Sequence, residues 1–175
     1  GIKGRLIRAF LENQMSLIAY HLPLDCHPEF GNNKTLLDQL DLPGGSPIDG
    51  EGGLLWSVAL DGQLTLDQLA ARIASRLNRT PTVIQSPRAK DRLERMIICT
   101  GGAQNYITKA QRYGADIYLS GEISERTTHE ARELGVHYIA AGHHATERYG
   151  VQALGSKINQ TMGLETAFFD DHNPA

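Results

Sequence analysis

The chain has 175 residues, of which 41% are hydrophobic and 21% are charged, and its formal net charge is −3. This length suits one good-sized domain or two small α/β lobes that share a core. The 17 basic against 20 acidic residues argue against broad electrostatic binding to nucleic acid, and the lack of a run of roughly 18 apolar residues predicts no membrane span. Cys26 and Cys99 form no CxxC pair and are too few for a disulfide framework, which favours a reduced, cytoplasmic setting.

The first part of the chain predicts a helix, a strand and a loop. An apolar-periodic run predicts a helix over 5–13, and SLIAY (16–20) predicts a short buried strand. The segment 21–28 contains two prolines, so we expect a rigid loop without regular structure at the end of that strand.

The middle of the chain predicts two further helices. One is expected over 32–40, with either of the two asparagines that open this range as its N-cap. The clearest amphipathic helix covers 65–77, where Thr65 and Gln68 have the spacing of a capping box. Around these helices we expect a loop over 43–53, an apolar run over 54–60 and a strand over 81–85.

From Arg95 onward, strands alternate with helices. The predicted strands are 95–100, 116–120, 136–141 and 164–169, and the predicted helices are 103–113, 124–134 and 145–162. Such alternation is typical of βαβ units and of a mostly parallel sheet. Ligands gather beyond the C-terminal ends of the strands in these sheets, so we expect the loops that follow the strands to lie on one rim and to carry the site.

The most specific of these loops is Ala141-Gly-His143-His144-Ala-Thr-Glu147. Residues 143 and 147 are four apart at the start of a helix, so their side chains share one helical face. An imidazole and a carboxylate at that spacing can hold one metal ion, although such pairs are more often surface ion pairs. His21-x-x-x-Asp25-x-His27 offers a further carboxylate between imidazoles, or else a turn in which Asp25 bonds nearby N–H groups.

Three other features are weaker. Thr100-Gly-Gly-Ala103 could bring backbone N–H groups to an anion, but a plain tight turn is favoured because the P-loop and GxGxxG patterns are absent. Glu122 follows a predicted strand and could orient a ligand or act as an acid or base. His129 lies within a predicted helix and is expected to be a surface or core histidine.

Three segments closely resemble the Nif-three-like, or YbgI-type, dinuclear metal-centre family: YHLPLDCHPEFGNN (20–33), GGAQNYITKAQRYGADIYLSGEISE (101–125) and AAGHHATERYG (140–150). The likeness runs over essentially the whole chain, with the segments in the right order. Many members carry the label GTP cyclohydrolase 1 type 2. The resemblance implies a duplicated α/β fold with a mixed, mostly parallel sheet, assembled into a toroidal homohexamer with two metal ions per subunit.

The resemblance also implies site residues. The aspartate of the family motif H-x-P-L-D is a ligand, which carries over to Asp25. The first histidine and the glutamate of G-H-x-x-T-E are ligands, which carry over to His143 and Glu147. His21 belongs to the first motif and is expected to fix ligand orientation.

One family feature has no counterpart in the sequence. Family members place a tandem His-His on a strand end just before the helix that opens this chain. We therefore expect a single domain, 1–175, that lacks the first β-α unit of the fold. Within it, 1–42 and 95–175 would form the metal-site core, and 43–94 would lie between them. Two carboxylates and one imidazole would leave a metal ion under-coordinated, with water in the remaining positions.

The function that the resemblance implies is metal-dependent hydrolysis. The mixed nitrogen and oxygen ligands would suit Zn, Fe, Mn, Co or Ni. Glu122 or His21 would move protons for a small-molecule substrate. Two alternatives stay open: a non-catalytic hexameric scaffold or metal-handling protein, and a chain that binds no metal.

Overall fold

The computed structural model describes residues 1–42, 44–62 and 64–174. Pro43, with which the predicted loop 43–53 begins, lies outside the described residues, as do Gln63 and Ala175. The helices are α1 (Ile2–Glu12), α2 (Leu22–Asp25), α3 (Asn32–Gln39), α4 (Leu66–Leu77), α5 (Ile107–Arg112), α6 (Glu125–Leu134) and α7 (His143–Met162), with one 3-10 turn at Gln104–Tyr106. The strands are β1 (Ser46–Pro47), β2 (Trp56–Ala59), β3 (Thr82–Ile84), β4 (Arg95–Cys99), β5 (Ile117–Ser120) and β6 (His137–Ala140).

The strands form one six-stranded sheet in the order β1-β2-β4-β5-β6-β3. β4, β5 and β6 are mutually parallel, and the other three ladders are antiparallel. The prediction of an α/β fold with a mixed sheet is confirmed, but the parallel part is smaller than expected. The reason is that β1, β2 and β3 precede the strand–helix alternation that begins at Arg95, and only that alternation requires parallel pairing.

The parallel strands separate two hydrophobic cores because successive side chains point to opposite faces of a sheet. Met96, Ile98 and Leu119 pack on one face in a cluster that α3, α4 and α7 cover. Ile97 and Tyr118 pack on the other face with α5 and α6. The near-continuous apolar composition of β4 and β5 therefore reflects strands that are buried on both faces.

The predicted capping box of α4 is confirmed. The Thr65 hydroxyl accepts a hydrogen bond from the Gln68 N–H at 3.2 Å, and Oε1 of Gln68 accepts one from the Thr65 N–H at 2.9 Å. Two otherwise unpaired donors at the start of the helix are thereby satisfied. The helix buries Leu69, Ile73 and Leu77 on one face.

Two predicted strands are wrong. The segments 16–20 and 164–169 pair with no strand among the described residues, and their side chains are exposed, as with Ile18 (76%) and Phe169 (90%). Both segments have the apolar composition of a strand. A strand nevertheless forms only where a neighbour completes its backbone hydrogen bonds, and no described strand lies beside either of them.

The region around 21–33 also differs from the prediction. The expected loop contains the one-turn helix α2, because Pro23 lies in the first turn, where its missing N–H is not needed. The N-cap of α3 is Gly31, and Asn32 and Asn33 are inside the helix with buried side chains. No helix among the described residues is long and apolar enough to cross a membrane.

Candidate functional site

The loops that follow the three parallel strands meet at one edge of the sheet. The N–H of Gly121 donates to the carbonyl oxygen of Gly101 at 2.9 Å, and the N–H of Gly142 donates to that of Gly121 at 2.9 Å. These bonds continue the ladder past the strand ends. The expectation of one shared rim is confirmed for these three loops, whereas the segment 21–33 follows no strand within the described residues 1–42.

Gly101 leaves room for a carboxylate at this rim. Its φ is +67°, and a Cβ atom there would lie 2.1 Å from Oε1 of Glu147 and 3.1 Å from Nε2 of His143. Its N–H donates to the hydroxyl of Thr146 at 3.1 Å, which ties the loop after β4 to the first turn of α7. Any other residue at this position would be strained and would displace Glu147.

His143 and Glu147 are in direct contact on α7, which begins two residues earlier than the predicted helix. Nε2 of His143 lies 3.1 Å from Oε2 of Glu147, and Nδ1 of His143 lies 2.6 Å from Oε1 of Glu122. A carboxylate can only accept a hydrogen bond, so Nδ1 carries a proton and Nε2 is directed at Glu147. The predicted pairing of 143 with 147 is confirmed as a contact.

The charges of this cluster are mutually dependent. Burial works against the charged ring of His143, but the hydrogen bond to Glu122 and the negative charge of Glu147 outweigh it and raise the pKa of His143. Burial, followed by the negative charge of Asp25, raises the pKa of Glu147. The hydrogen bond from His143 lowers the pKa of Glu122. Asp25 and Glu147 are therefore close enough to repel each other.

Asp25 is held by Asn32, one of the two asparagines predicted as the N-cap of α3. Nδ2 of Asn32 donates to Oδ1 of Asp25 at 2.6 Å, and Oδ1 of Asn32 accepts from the N–H of Gly150 at 3.1 Å. Asn32 thereby joins α2 to α7 and fixes the position of the Asp25 carboxylate. In the sequence, Asn32 and Asn33 follow a glycine, a pattern that fits a helix N-cap as well as a buried amide.

Asn33 has a similar role on the other side of α3. Its Oδ1 accepts from the N–H of Thr100 at 3.1 Å, and its Nδ2 donates to the carbonyl of Leu54 at 3.0 Å. The Ala103 N–H is likewise bonded internally, to the Ser120 hydroxyl at 3.3 Å. Because the N–H groups of 100, 101 and 103 are used within the protein, the tight-turn interpretation of 100–103 is favoured over an anion site.

A cavity of about 370 Å³ brings the candidate residues together. Its lining includes His21, Asp25, His143 and Glu147, with Asn33, Leu54 and Tyr106 among the other walls. His21 is exposed at the N-cap of α2. The cavity thus joins the two motif segments, which are more than a hundred residues apart.

The two remaining candidates, Glu122 and His129, are not part of the lining of this cavity. The Glu122 carboxylate contacts His143 and accepts from Nε2 of Gln104 at 3.4 Å, an arrangement that favours orienting the ring over direct proton transfer. His129 is exposed on α6.

The donor set suits a divalent transition metal in its chemistry, but the side chains are not gathered around one point. In the part of the chain that the structure describes, no group of three His, Cys, Asp or Glu side chains could hold a metal ion as placed. The nearest arrangement is the His143–Glu147 pair, whose facing atoms would have to separate to admit an ion between them. The Glu147 carboxylate lies in the space that the missing side chain of Gly101 leaves open.

Comparison with known proteins identifies the relationship. Residues 1–174 match the family described as Duf34/NIF3 (NGG1p interacting factor 3). The chain belongs to the Duf34/NIF3 family. Two of its relatives are named GTP cyclohydrolase 1 type 2 homolog. The one from Allochromatium vinosum is 49% identical, and the match covers all of this chain and 68% of the relative. The one from Vibrio cholerae is 47% identical, and the match covers 99% of this chain and 69% of the relative.

Solved structures of this family have the same fold. Protein ybgI, described as of unknown function, superposes with a TM-score of 0.91 at 39% identity, over all of this chain and 69% of its own. TTHA1606 from Thermus thermophilus superposes with a TM-score of 0.87 at 30% identity, and the match covers all of this chain and 69% of that protein. The predicted membership of the Nif-three-like, YbgI-type family is therefore confirmed.

Proposed function

We propose that this Duf34/NIF3 protein binds a divalent transition metal through Asp25, His143 and Glu147, and that the site supports hydrolysis of a small molecule. The observation that carries the proposal is the contact between Nε2 of His143 and Oε2 of Glu147 at 3.1 Å, within a cavity that Asp25 also lines.

This contact requires a positive charge between its two atoms. Nδ1 of His143 carries a proton and donates a hydrogen bond to Glu122, so Nε2 and the Glu147 carboxylate face each other with lone pairs unless a second proton lies between them. A divalent cation can replace that proton, since deprotonated imidazole nitrogen and carboxylate oxygen are both metal ligands. The buried negative charge of Asp25 favours the same exchange.

The surrounding residues support a ligand role for each side chain. Glu122 orients the His143 ring as outer carboxylates do for metal-binding histidines, and Asn32 fixes the Asp25 carboxylate. His21, exposed at the cavity, is the residue that we propose for proton transfer. A bound divalent ion would supply Lewis-acid polarisation of a substrate oxygen and a lowered pKa for water.

The proposal of a hydrolase, and not only of a metal-binding protein, draws on the relatives. Those from A. vinosum and V. cholerae are named GTP cyclohydrolase 1 type 2 homolog. Zn, Fe, Mn, Co and Ni all suit the mixed ligand set. A second ion in the cavity and a location in the cytoplasm stay predictions.

Assembly into a ring of identical subunits also stays a proposal, and exposed apolar surface supports it. α1 buries none of its residues, and four of its apolar side chains are more than half exposed: Ile2, Leu6, Ile7 and Leu11. Exposed apolar patches of this kind on water-soluble proteins mark sites of protein–protein association.

The first experiment is metal analysis of the purified chain by inductively coupled plasma mass spectrometry after loading with Zn, Mn or Ni and desalting. We expect retained metal in the wild type and a loss in Glu147→Gln, because only the latter removes a ligand. Glu165→Gln changes the charge equally at an exposed position and serves as the control. Wild-type protein without metal would overturn the proposal. Metal-dependent hydrolysis of GTP and simple phosphoesters then separates a hydrolase from a non-catalytic scaffold.

A further inference from the structure

A carboxylate of the C-terminal segment is bound by two basic side chains of α7. Nε2 of His144 lies 3.0 Å from Oδ1 of Asp170, and Nη1 of Arg148 donates to Oδ2 of Asp170 at 2.7 Å. Each oxygen of the carboxylate thus has its own donor. His144 and Arg148 are four apart, on a part of the helix next to the one that carries His143 and Glu147.

The basic groups here exceed what one carboxylate can satisfy. Nε of Arg148 is buried and has no hydrogen-bond partner in the described part of the chain. The half-buried Arg79 packs its guanidinium against the backbone of Gly142, where a Cβ atom would lie 2.6 Å from its Nε. This guanidinium forms no hydrogen bond or ion pair with residues 1–42, 44–62 or 64–174. His144 and Arg148 therefore bind Asp170, and Arg79 adds a second guanidinium group to the lining of the same cavity.

These groups surround open space. A cavity of about 450 Å³ is lined by Arg79, His144, Arg148 and Asp170. A second cavity, of about 430 Å³, is lined by His144 and Arg148 and also by His143 and Glu147. A ligand bound by the basic cluster can therefore extend to the candidate metal ligands along α7.

We propose that Arg79, His144 and Arg148 form a binding site for the phosphate group of a small-molecule substrate, and that Asp170 occupies this site in the absence of that substrate. Planar guanidinium groups match phosphate oxygens in paired hydrogen bonds, and a phosphate offers more acceptors than the carboxylate that it displaces. The placement of the substrate's other end at His143 and Glu147 rests on the proposed function. The phosphate site itself does not.

The competing explanation is that Asp170 only anchors the C-terminal segment through an ordinary ion pair. The two explanations differ in what the loss of the Asp170 charge does. If Asp170 is only an anchor, removing its charge leaves the affinity for phosphate unchanged. If Asp170 competes with phosphate for the basic groups, removing its charge raises that affinity.

The test is isothermal titration of the full chain with inorganic phosphate after metal has been removed with a chelator. We expect Asp170→Asn to bind phosphate about fivefold more tightly than the wild type, the gain expected from removing a partly exposed, ion-paired carboxylate as a competitor. Asp171→Asn makes the same charge change at the next residue and should leave the affinity unchanged. Arg79→Ala should weaken binding, while Arg88→Ala, which removes an exposed arginine paired with Glu133, should not.

Equal phosphate affinity in Asp170→Asn and the wild type, or undiminished affinity in Arg79→Ala, would overturn the proposal. Arg148→Lys keeps the charge without the planar fork and should also bind phosphate more weakly. Because the titration uses metal-free protein, phosphate binding without metal retention would support this site while contradicting the proposed function. Metal retention without phosphate binding would do the reverse.

Discussion

Oε1 of Glu122 lies 2.6 Å from Nδ1 of His143, so a carboxylate at the end of β5 fixes the ring of a residue at the start of α7. The ring cannot rotate without losing this bond. Its second nitrogen is therefore directed at Glu147 and the cavity before any ligand is present, and outer contacts of this kind determine how well a histidine binds metal.

The first prediction concerns this outer contact. Glu122→Ala should lower the affinity for a divalent metal by about 10- to 100-fold, because the His143 ring loses its orienting acceptor. Glu122→Gln should be milder, since its amide oxygen can still accept from Nδ1. Affinity is measured by competition with a chromogenic chelator, and Glu125→Gln at the exposed start of α6 is the control. Unchanged affinity in Glu122→Ala would show that the contact has no role in metal binding.

The second prediction concerns the space beside Glu147. Gly101→Ala should abolish metal retention, because its Cβ would lie 2.1 Å from Oε1 of Glu147. Gly114→Ala is a matched control: its φ of +77° is similarly left-handed, but its nearest neighbour, Nη1 of Arg95, is 3.7 Å away. Both variants should lose about 1–2 kcal/mol of stability from the left-handed backbone.

Only Gly101→Ala should lose metal as well. Metal analysis and urea unfolding of both variants separate the two effects. If Gly114→Ala also failed to retain metal, the loss would be due to general destabilisation and not to the position of Glu147.

The third prediction concerns the amide that joins α2 to α7. Asn32→Ala should reduce the free energy of unfolding by about 1–3 kcal/mol, because the buried Asp25 carboxylate and the N–H of Gly150 each lose a partner. Urea unfolding followed by circular dichroism measures this. Asp38→Ala, on the exposed side of the same helix, should change stability by about 0.5 kcal/mol or less. A loss in Asn32→Ala no larger than in this control would contradict the role assigned to the amide.

The fourth prediction concerns pH. The hydrogen bonds from Lys109 and Tyr113, at 2.7 and 2.9 Å, lower the pKa of Glu51 and connect its loop to α5. Because folding lowers this pKa, the stabilisation is complete above the usual pKa of glutamate, about 4.3, and is lost as the pH falls through the lower value of the folded state.

The wild type should therefore be more stable than Glu51→Gln at neutral pH, and the difference should shrink on acidification below about pH 4.3. Urea unfolding at a series of pH values measures the difference. Glu12→Gln, at the exposed end of α1, controls for the change in net charge. A difference that does not depend on pH would mean that the ionised form of Glu51 is not what stabilises the loop.

The sequence by itself determined the elements whose reasons are local, and the family to which the chain belongs. The alternation after Arg95 predicted β4, β5, β6 and the helices between them, because each is specified by its own apolar periodicity. The four-residue spacing of His143 and Glu147 was enough to place them on one helical face. The motifs around Asp25 and His143 carried the family resemblance that the comparisons confirmed.

Only the tertiary structure decided features that depend on distant neighbours. Whether the apolar segments 16–20 and 164–169 form strands depends on a partner strand, which their own residues do not encode. Asn32 fits an N-cap locally, yet it is buried where α2 and α7 meet, and there it bonds Asp25 and Gly150. The local sequence at the start of a helix indicates only which backbone groups lie near the side chain. The use of a buried amide is determined by the polar groups that the fold brings within hydrogen-bonding distance.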